Sequence, residues 1–239
     1  MIRKLNLVLA ALVIGLLAFY GGRTVSRSDV ITDFHRLFYG SADTWRRNRW
    51  LDVPTLQNPN DVWIIQEIIG EVRPDFVVET GTFHGGSATL WAMLLSQLNP
   101  AGRVITVDIS DMAAEARTVP VFQERVDFLL GSSVDPQIVE RIRSRVQGRK
   151  VVVILDSDHS CDHVLKEMEI YAPLVSVGSY MIVQDTNLSG HPVSVDDYPL
   201  GPMEAVDTYL TTHDNFVVDQ SRERLLLTMN PRGYLRKVK

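Results

Sequence analysis

The chain has 239 residues, 45% of them hydrophobic and 22% charged, with a net charge of −5. That is enough for one full α/β domain with a sizeable core and a short appendage, and the composition is that of a globular protein. The mild acidity argues against a nucleic-acid binder, and the single cysteine, Cys161, excludes an intramolecular disulfide and a thiolate zinc cluster.

Residues 5–20 are almost wholly apolar and follow Arg3 and Lys4. No polar face and no small-residue cleavage site is present, so residues 1–22 are expected to form a membrane anchor, with a cleaved signal peptide and a buried helix as competing readings. Arg3 and Lys4 on one flank and Arg23 and Arg27 on the other leave the orientation undecided. Residues 23–59 are polar and irregular and cluster Trp45, Arg46, Arg47, Arg49 and Trp50. A linker or lid is expected here: a lid over the site, a basic-aromatic patch at lipid headgroups, or a helix and loop on the domain edge.

A catalytic domain is expected over 60–239. Asn60 or Asp61 is read as the cap of a helix carrying Trp63, Ile64, Ile65, Ile68, Ile69 and Val72, ended by Pro74. Strands are expected over 76–79 and 103–107, within 122–130, and over 150–155 and 178–183. Helices are expected over 87–98, 135–147, 161–171 and 203–212. Three β-like runs in the tail, 216–218, 225–229 and 234–238, suggest a hairpin closing one edge. Strands alternating with helices at this spacing predict an α/β fold with a doubly wound, mainly parallel sheet.

In such sheets ligands bind outside the carboxyl ends of the strands. Three strand ends carry chemistry-bearing residues. The first strand runs into E-T-G-T-F-H-G-G-S, residues 79–87. Its glycines admit a close ligand, and the following helix offers its positive N-terminus. The spacing is not G-x-G-x-x-G, and Glu79 would repel a pyrophosphate while suiting a cationic ligand such as S-adenosylmethionine. Asp108 ends the second strand, where an acid can accept both ribose hydroxyls. The expected cofactor set is Glu79, Gly81, Thr82, Gly85, Gly86, Ser87, Asp108 and Ser132.

The fourth strand, K-V-V-V-I-L, ends in D-S-D-H-S, residues 156–160, and the fifth ends in Gln184 and Asp185. Acids on neighbouring strand ends can converge on one point, and hard oxygen ligands with open positions suit Mg²⁺ better than zinc. A divalent ion there polarises a substrate hydroxyl, and a neutral His159 can accept its proton. Asp158 or Ser160 is read as the cap of the next helix. His191 either shapes an acceptor pocket or is structural.

V-I-L-D-S-D-H-S, V-L-K-E-M-E-I-Y-A-P-L-V, G-S-Y-M-I-V-Q-D-T-N, G-H-P-V and G-P-M-E-A-V-D, all within residues 58–227, resemble the family that groups cephalosporin hydroxylases with rhamnosyl O-methyltransferases. The resemblance implies a class I methyltransferase fold, S-adenosylmethionine as cofactor, and Mg²⁺ held by acids after the fourth and fifth strands. By position it implies Asp156, Gln184 and Asp185 as metal ligands, His159 as base, and Glu79, Gly81 and Asp108 on the cofactor. Gln184 departs from the expected pair of acids, offering an amide oxygen without charge.

The expected activity is an Mg²⁺-dependent O-methylation of a sugar hydroxyl on a glycolipid, polysaccharide or glycosylated metabolite. An iron and 2-oxoglutarate hydroxylase using His159 and His163 is one alternative, and a tethered non-catalytic member of the fold is another. The expected partners are a small-molecule or glycolipid substrate and, through the N-terminal helix, a membrane, with a cytosolic active site; a homo-oligomer is left open.

Overall fold

Every residue of the run Val151–Leu155 is buried, which is what a strand covered on both faces requires. A computed structural model describes residues 26–194 and 199–239 of the chain. The chain divides into two compact units, residues 1–34 and 35–239. The described part of the first begins helix α1 (Arg27–Gly40), where Asp29 N donates to Ser26 Oγ at 3.1 Å and Ser26 N to Asp29 Oδ2 at 3.3 Å, a reciprocal cap.

The second unit carries a short hairpin, β1 (Arg49–Trp50) and β2 (Val53–Pro54), and a seven-stranded sheet. In chain order its strands are β3 (Phe76–Thr80), β4 (Arg103–Asp108), β5 (Val126–Leu130), β6 (Val151–Leu155), β7 (Tyr180–Val183), β8 (Phe216–Val218) and β9 (Tyr234–Lys237). Their spatial order is β5-β4-β3-β6-β7-β9-β8; β5 to β7 are parallel, and β9 runs antiparallel to both its neighbours. The order reverses between β3 and β6, which opens a crevice at their carboxyl ends.

Alternation along the strands divides the core in two. Val77, Val104, Val152 and Ile154 pack with α2 (Pro59–Val72) and α3 (Gly86–Leu98) on one face. Val78, Ile105, Val151, Val153 and Leu155 pack with α5 (Pro136–Val146), α6 (Cys161–Tyr171) and α7 (Pro202–Thr212) on the other. The remaining short helix is α4 (Pro120–Arg125).

The α/β class and the mainly parallel sheet agree with the sequence reading, and three details differ. The cap of α2 is Asn58, whose side chain accepts from Asn60 N, with Pro59 in the first turn. Asp61 is instead buried at 2% exposure and accepts from Asn58, Thr228, Met229 and Tyr234. The apolar run 225–229 forms no strand, and the edge is closed by β8 and β9 alone.

The membrane-anchored localisation is corrected. Among the described residues no helix is long and apolar enough to cross a membrane. The 14 residues of α1 or α2 rise about 21 Å, against a hydrocarbon layer of about 30 Å. Residues 1–22, where the anchor and its hydrophobic helix are expected, lie outside the described residues.

Candidate active site

The carboxyl ends of the strands open into a cleft of about 570 Å³, within the usual range for small-molecule sites. Its walls come from the loops after β3, β4, β5 and β6, from Asp185 after β7, and from parts of the segment between Tyr39 and Gln57.

The loop after β3 must cross close to β6. Gly81 has φ +85°, and a Cβ on it would stand 1.8 Å from the Asp156 carbonyl oxygen, so no side chain fits. Thr82 lines the cleft, its Oγ1 2.7 Å from Thr106 Oγ1. Gly86 and Ser87 line it where α3 begins. A Cβ on Gly86 would meet Thr55 Oγ1 at 2.1 Å and the Pro54 carbonyl at 2.3 Å, so the segment after β2 rests directly on the start of α3. Asp108 lines the cleft with its carboxylate fixed by Phe83 N at 2.8 Å and Ser110 N at 2.9 Å. Ser132 lines it from the loop after β5.

Two members of the expected cofactor set do not face the cleft. Gly85 lies beneath it, where a Cβ would meet Ala116. Glu79 is fully buried and accepts from Trp91 Nε1 at 2.9 Å and Thr106 Oγ1 at 2.8 Å. Burial pushes its carboxyl up to about 7 against the opposing pull of those donors. Through Thr106 it reaches Thr82 from behind.

Asp156, His159 and Asp185 converge. One ligand atom from each lies within 4.8 Å of the others, the one such trio among the described residues. His159 Nε2 stands 3.3 Å from Asp185 Oδ2. Asp185 sits at φ +55° immediately past β7, its N–H donating to Asn230 Oδ1 at 3.0 Å. Burial, then the neighbouring carboxylates of Asp185 and Glu79, hold the Asp156 carboxyl well above the usual range. Burial also raises Asp185, with His159 opposing. Two part-buried carboxylates that repel each other beside an imidazole form a donor set that fits a small divalent cation, whose charge relieves the repulsion.

Gln184 is not among the residues lining the cleft. It is 5% exposed, and its amide nitrogen is buried without a partner. Both residues lie past the end of β7: Gln184 N still donates to the Leu155 carbonyl at 2.9 Å, and the backbone turns left-handed at Asp185. His163 lines the cleft but points elsewhere than the trio: its Nε2 lies 3.2 Å from Ser133 Oγ and 3.4 Å from Glu167 Oε1. Asp158 Oδ1 accepts from Ser160 N at 2.7 Å, and Ser160 holds the N-cap position of α6 without a side-chain cap hydrogen bond. His191 pairs with Glu204 at 2.7 Å and does not line the cleft.

The sequence gives no sign of Gln57. It is 5% exposed, lines the cleft, and donates from Nε2 to Asp156 Oδ2 at 3.0 Å. Trp45, from the aromatic-basic cluster, lines the cleft as well.

This strand order, with a glycine-rich turn, an acid after the next strand and an acid–histidine trio at the switch point, defines a class I methyltransferase-like fold. The family model described as Rhamnosyl O-methyltransferase/CmcI matches residues 42–238, and the chain belongs to that family. It is 36% identical over 211 residues to a rhamnosyl O-methyltransferase of Mycobacterium tuberculosis, covering 86% of this chain and 84% of the relative. A rhamnosyl O-methyltransferase of Mycobacterium leprae is 36% identical over 185 residues, covering 75% and 77%. Among solved structures, CmcI with Mg and SAM superposes with a TM-score of 0.62 at 20% identity, covering 81% of this chain and 78% of that one. An O-methyltransferase from Bacillus cereus in complex with SAH gives 0.55 at 15% identity, covering 94% and 97%. At these identities the two structures bear on the fold.

Proposed function

We propose that this chain is an S-adenosylmethionine-dependent O-methyltransferase that uses Mg²⁺ and acts on a sugar hydroxyl. The observation that carries the reading is the convergence of Asp156, His159 and Asp185 in the same cleft as the glycine-rich turn and Asp108. Membership of a family whose relatives are rhamnosyl O-methyltransferases supports the substrate class.

Gly81, Thr82, Gly86 and Ser87 line the part of the cleft that takes the methionine portion of the cofactor. Asp108, which lines the cleft after β4, would take the ribose, and Ser132, after β5, would face the base. Asp156 and Asp185 would hold the ion. The chemistry a divalent ion supplies is polarisation of a hydroxyl, which lowers its pKa. His159, oriented by Asp185 at 3.3 Å, would take the hydroxyl proton, and the cofactor would supply the methyl group to that oxygen. The acceptor and its hydroxyl are found by labelled-methyl transfer from S-adenosylmethionine to rhamnosylated glycolipids, polysaccharides and free glycosides, with Mg²⁺ and with chelator. Transfer that is chelator-sensitive and lost in Asp156→Ala and His159→Ala is the expected result. Turnover unchanged in both variants would sink the mechanism.

A further inference from the structure

The two halves of the cleft differ in what lines them. The loops after β3, β4 and β5 carry the glycine, serine and aspartate positions read as the cofactor half. The trio stands at the ends of β6 and β7, on the other side of β3 in the sheet. The segment before α2 touches both halves: Pro54 and Thr55 rest on Gly86, and three hydrogen bonds tie it to the side of β6 and β7. Asn187 Nδ2 donates to the buried His35 Nε2 at 3.0 Å. Arg36 Nε donates to the Pro192 carbonyl at 3.2 Å, and Gln57 reaches Asp156. Asn187 and Pro192 both belong to the loop that follows β7.

Between these fastenings the segment turns Tyr39 and Trp45 to the cleft. Their ring centroids are 5.2 Å apart with the planes tilted by 32°. Trp45 Nε1 donates to the Tyr39 carbonyl at 3.1 Å, and Thr44 Oγ1 donates to the Phe38 carbonyl at 2.6 Å, which fixes the turn. The single polar atom of the indole is thus spent on backbone, and what Trp45 offers a ligand is carbon surface. An ion and an imidazole can capture any hydroxyl, water included. An apolar wall beside them selects acceptors that carry an apolar face next to the hydroxyl.

We infer that Tyr39 and Trp45 form the acceptor wall of the cleft, against which the C–H face of a 6-deoxyhexose lies while its ring hydroxyl reaches Asp156 and Asp185. This rests on the proposed activity for the nature of the acceptor. The sugar's methyl group, in place of a hydroxymethyl, enlarges the surface that an aromatic wall can cover.

Saturation-transfer NMR with methyl α-L-rhamnopyranoside, run on the full chain with S-adenosylhomocysteine and Mg²⁺, reads the wall directly. The wild type is expected to bind this probe more tightly than methyl α-D-mannopyranoside. Trp45→Ala is expected to weaken it by roughly tenfold, the equivalent of losing about 1.4 kcal/mol of aromatic contact, and Trp45→Phe by roughly threefold or less. Tyr39→Leu, which keeps bulk, should fall between them. Calorimetry should give S-adenosylhomocysteine affinities within about twofold throughout, because Tyr39 and Trp45 are not among the positions read as holding the cofactor. An unchanged rhamnoside affinity in Trp45→Ala, equal binding of the two sugars, no rhamnoside binding by the wild type, or a parallel loss of S-adenosylhomocysteine affinity would each overturn the assignment. Rhamnoside held by the wall with no methyl transferred counts against the proposed activity and leaves the wall standing.

Discussion

Gln57 and Asp156 are 99 residues apart, and the Gln57 amide donates to Asp156 Oδ2 at 3.0 Å. The donor is fixed from behind: Gln57 N donates to the Thr55 carbonyl at 2.8 Å, and the Gln57 carbonyl accepts from Asn48 Nδ2 at 2.8 Å. One oxygen of a part-buried carboxylate is therefore pinned, which aims the other at the point shared with His159 and Asp185. Gln57→Leu keeps the volume and removes the donor. A hydrogen bond to a charged group contributes about 1.5–3 kcal/mol, so Mn²⁺ affinity followed by paramagnetic resonance should fall on the order of ten- to a hundredfold. Unaltered Mn²⁺ binding would show that Asp156 needs no such orientation.

The trio makes opposite predictions for metal-free and metal-loaded protein. Without a cation, the Asp156 and Asp185 carboxylates repel each other in a part-buried setting. Asp156→Asn removes one charge and keeps an oxygen for Gln57, so the metal-free variant should be about 1–2 kcal/mol more stable than the wild type. The wild type should gain stability on titration with Mg²⁺, and the variant should not. His159→Ala should leave Mg²⁺ stabilisation nearly intact while cutting methyl transfer by about 10²–10⁴-fold, the range for a lost general base. Thermal unfolding with and without Mg²⁺, beside the transfer assay, separates the two roles.

The strands of the parallel sheet were legible because burial on both faces leaves an uninterrupted apolar run, as in 151–155. Asp108, Asp156, His159 and Asp185 were legible because they follow such runs directly, where a strand end meets the cleft. What escaped depends on partners distant in sequence. Gln57 acquires its meaning only from Asp156. Asn60 and Asp61 look as good a cap as Asn58, and only the return of residues 228–234 shows why Asp61 is drawn inward. Gln184 reads as a ligand beside Asp185, yet it is buried off the cleft lining, and no sequence feature marks the left-handed turn at Asp185 that follows it. Glu79 stands where a cofactor carboxylate is expected, yet Trp91 and Thr106 hold it inside the core.

Asp61 gives the fold a pH dependence of definite sign. Four donors face its carboxylate, but burial outweighs them and pushes it up to about 6, from an ordinary 3.8. Between those values the folded chain holds a proton that the unfolded chain has released. The group's contribution to stability is complete below about pH 4 and is lost as pH rises through about 6, at about 1.4 kcal/mol for each pH unit between the two. Asp61→Asn cannot titrate. The difference in urea-unfolding free energy between pH 4.5 and pH 7 should therefore shrink by about 1–3 kcal/mol in the variant. An unchanged difference would place the titration elsewhere.

Gly86 tests whether the segment before α2 transmits between the two halves of the cleft. A Cβ at this position enters the space of Thr55 Oγ1 and the Pro54 carbonyl, at 2.1 and 2.3 Å. The start of α3 is fixed by the helix it opens and by its packing beneath the sheet, so the 53–57 segment is what must yield. Gln57 lies two residues past Thr55, and its amide then loses Asp156. Gly86→Ala should thus weaken Mn²⁺ binding about as much as Gln57→Leu, although it touches no ligand. The double variant should be little worse than either single one, since both remove the same hydrogen bond. Gly70→Ala is the control. Nothing lies within 4 Å of a Cβ there, and within α2 the change should stabilise the fold by about 0.5–1 kcal/mol without altering the metal affinity. Additive losses in the double variant would mean that Gly86 acts on the metal by a route other than Gln57, and no loss from Gly86→Ala that it serves the cofactor half alone.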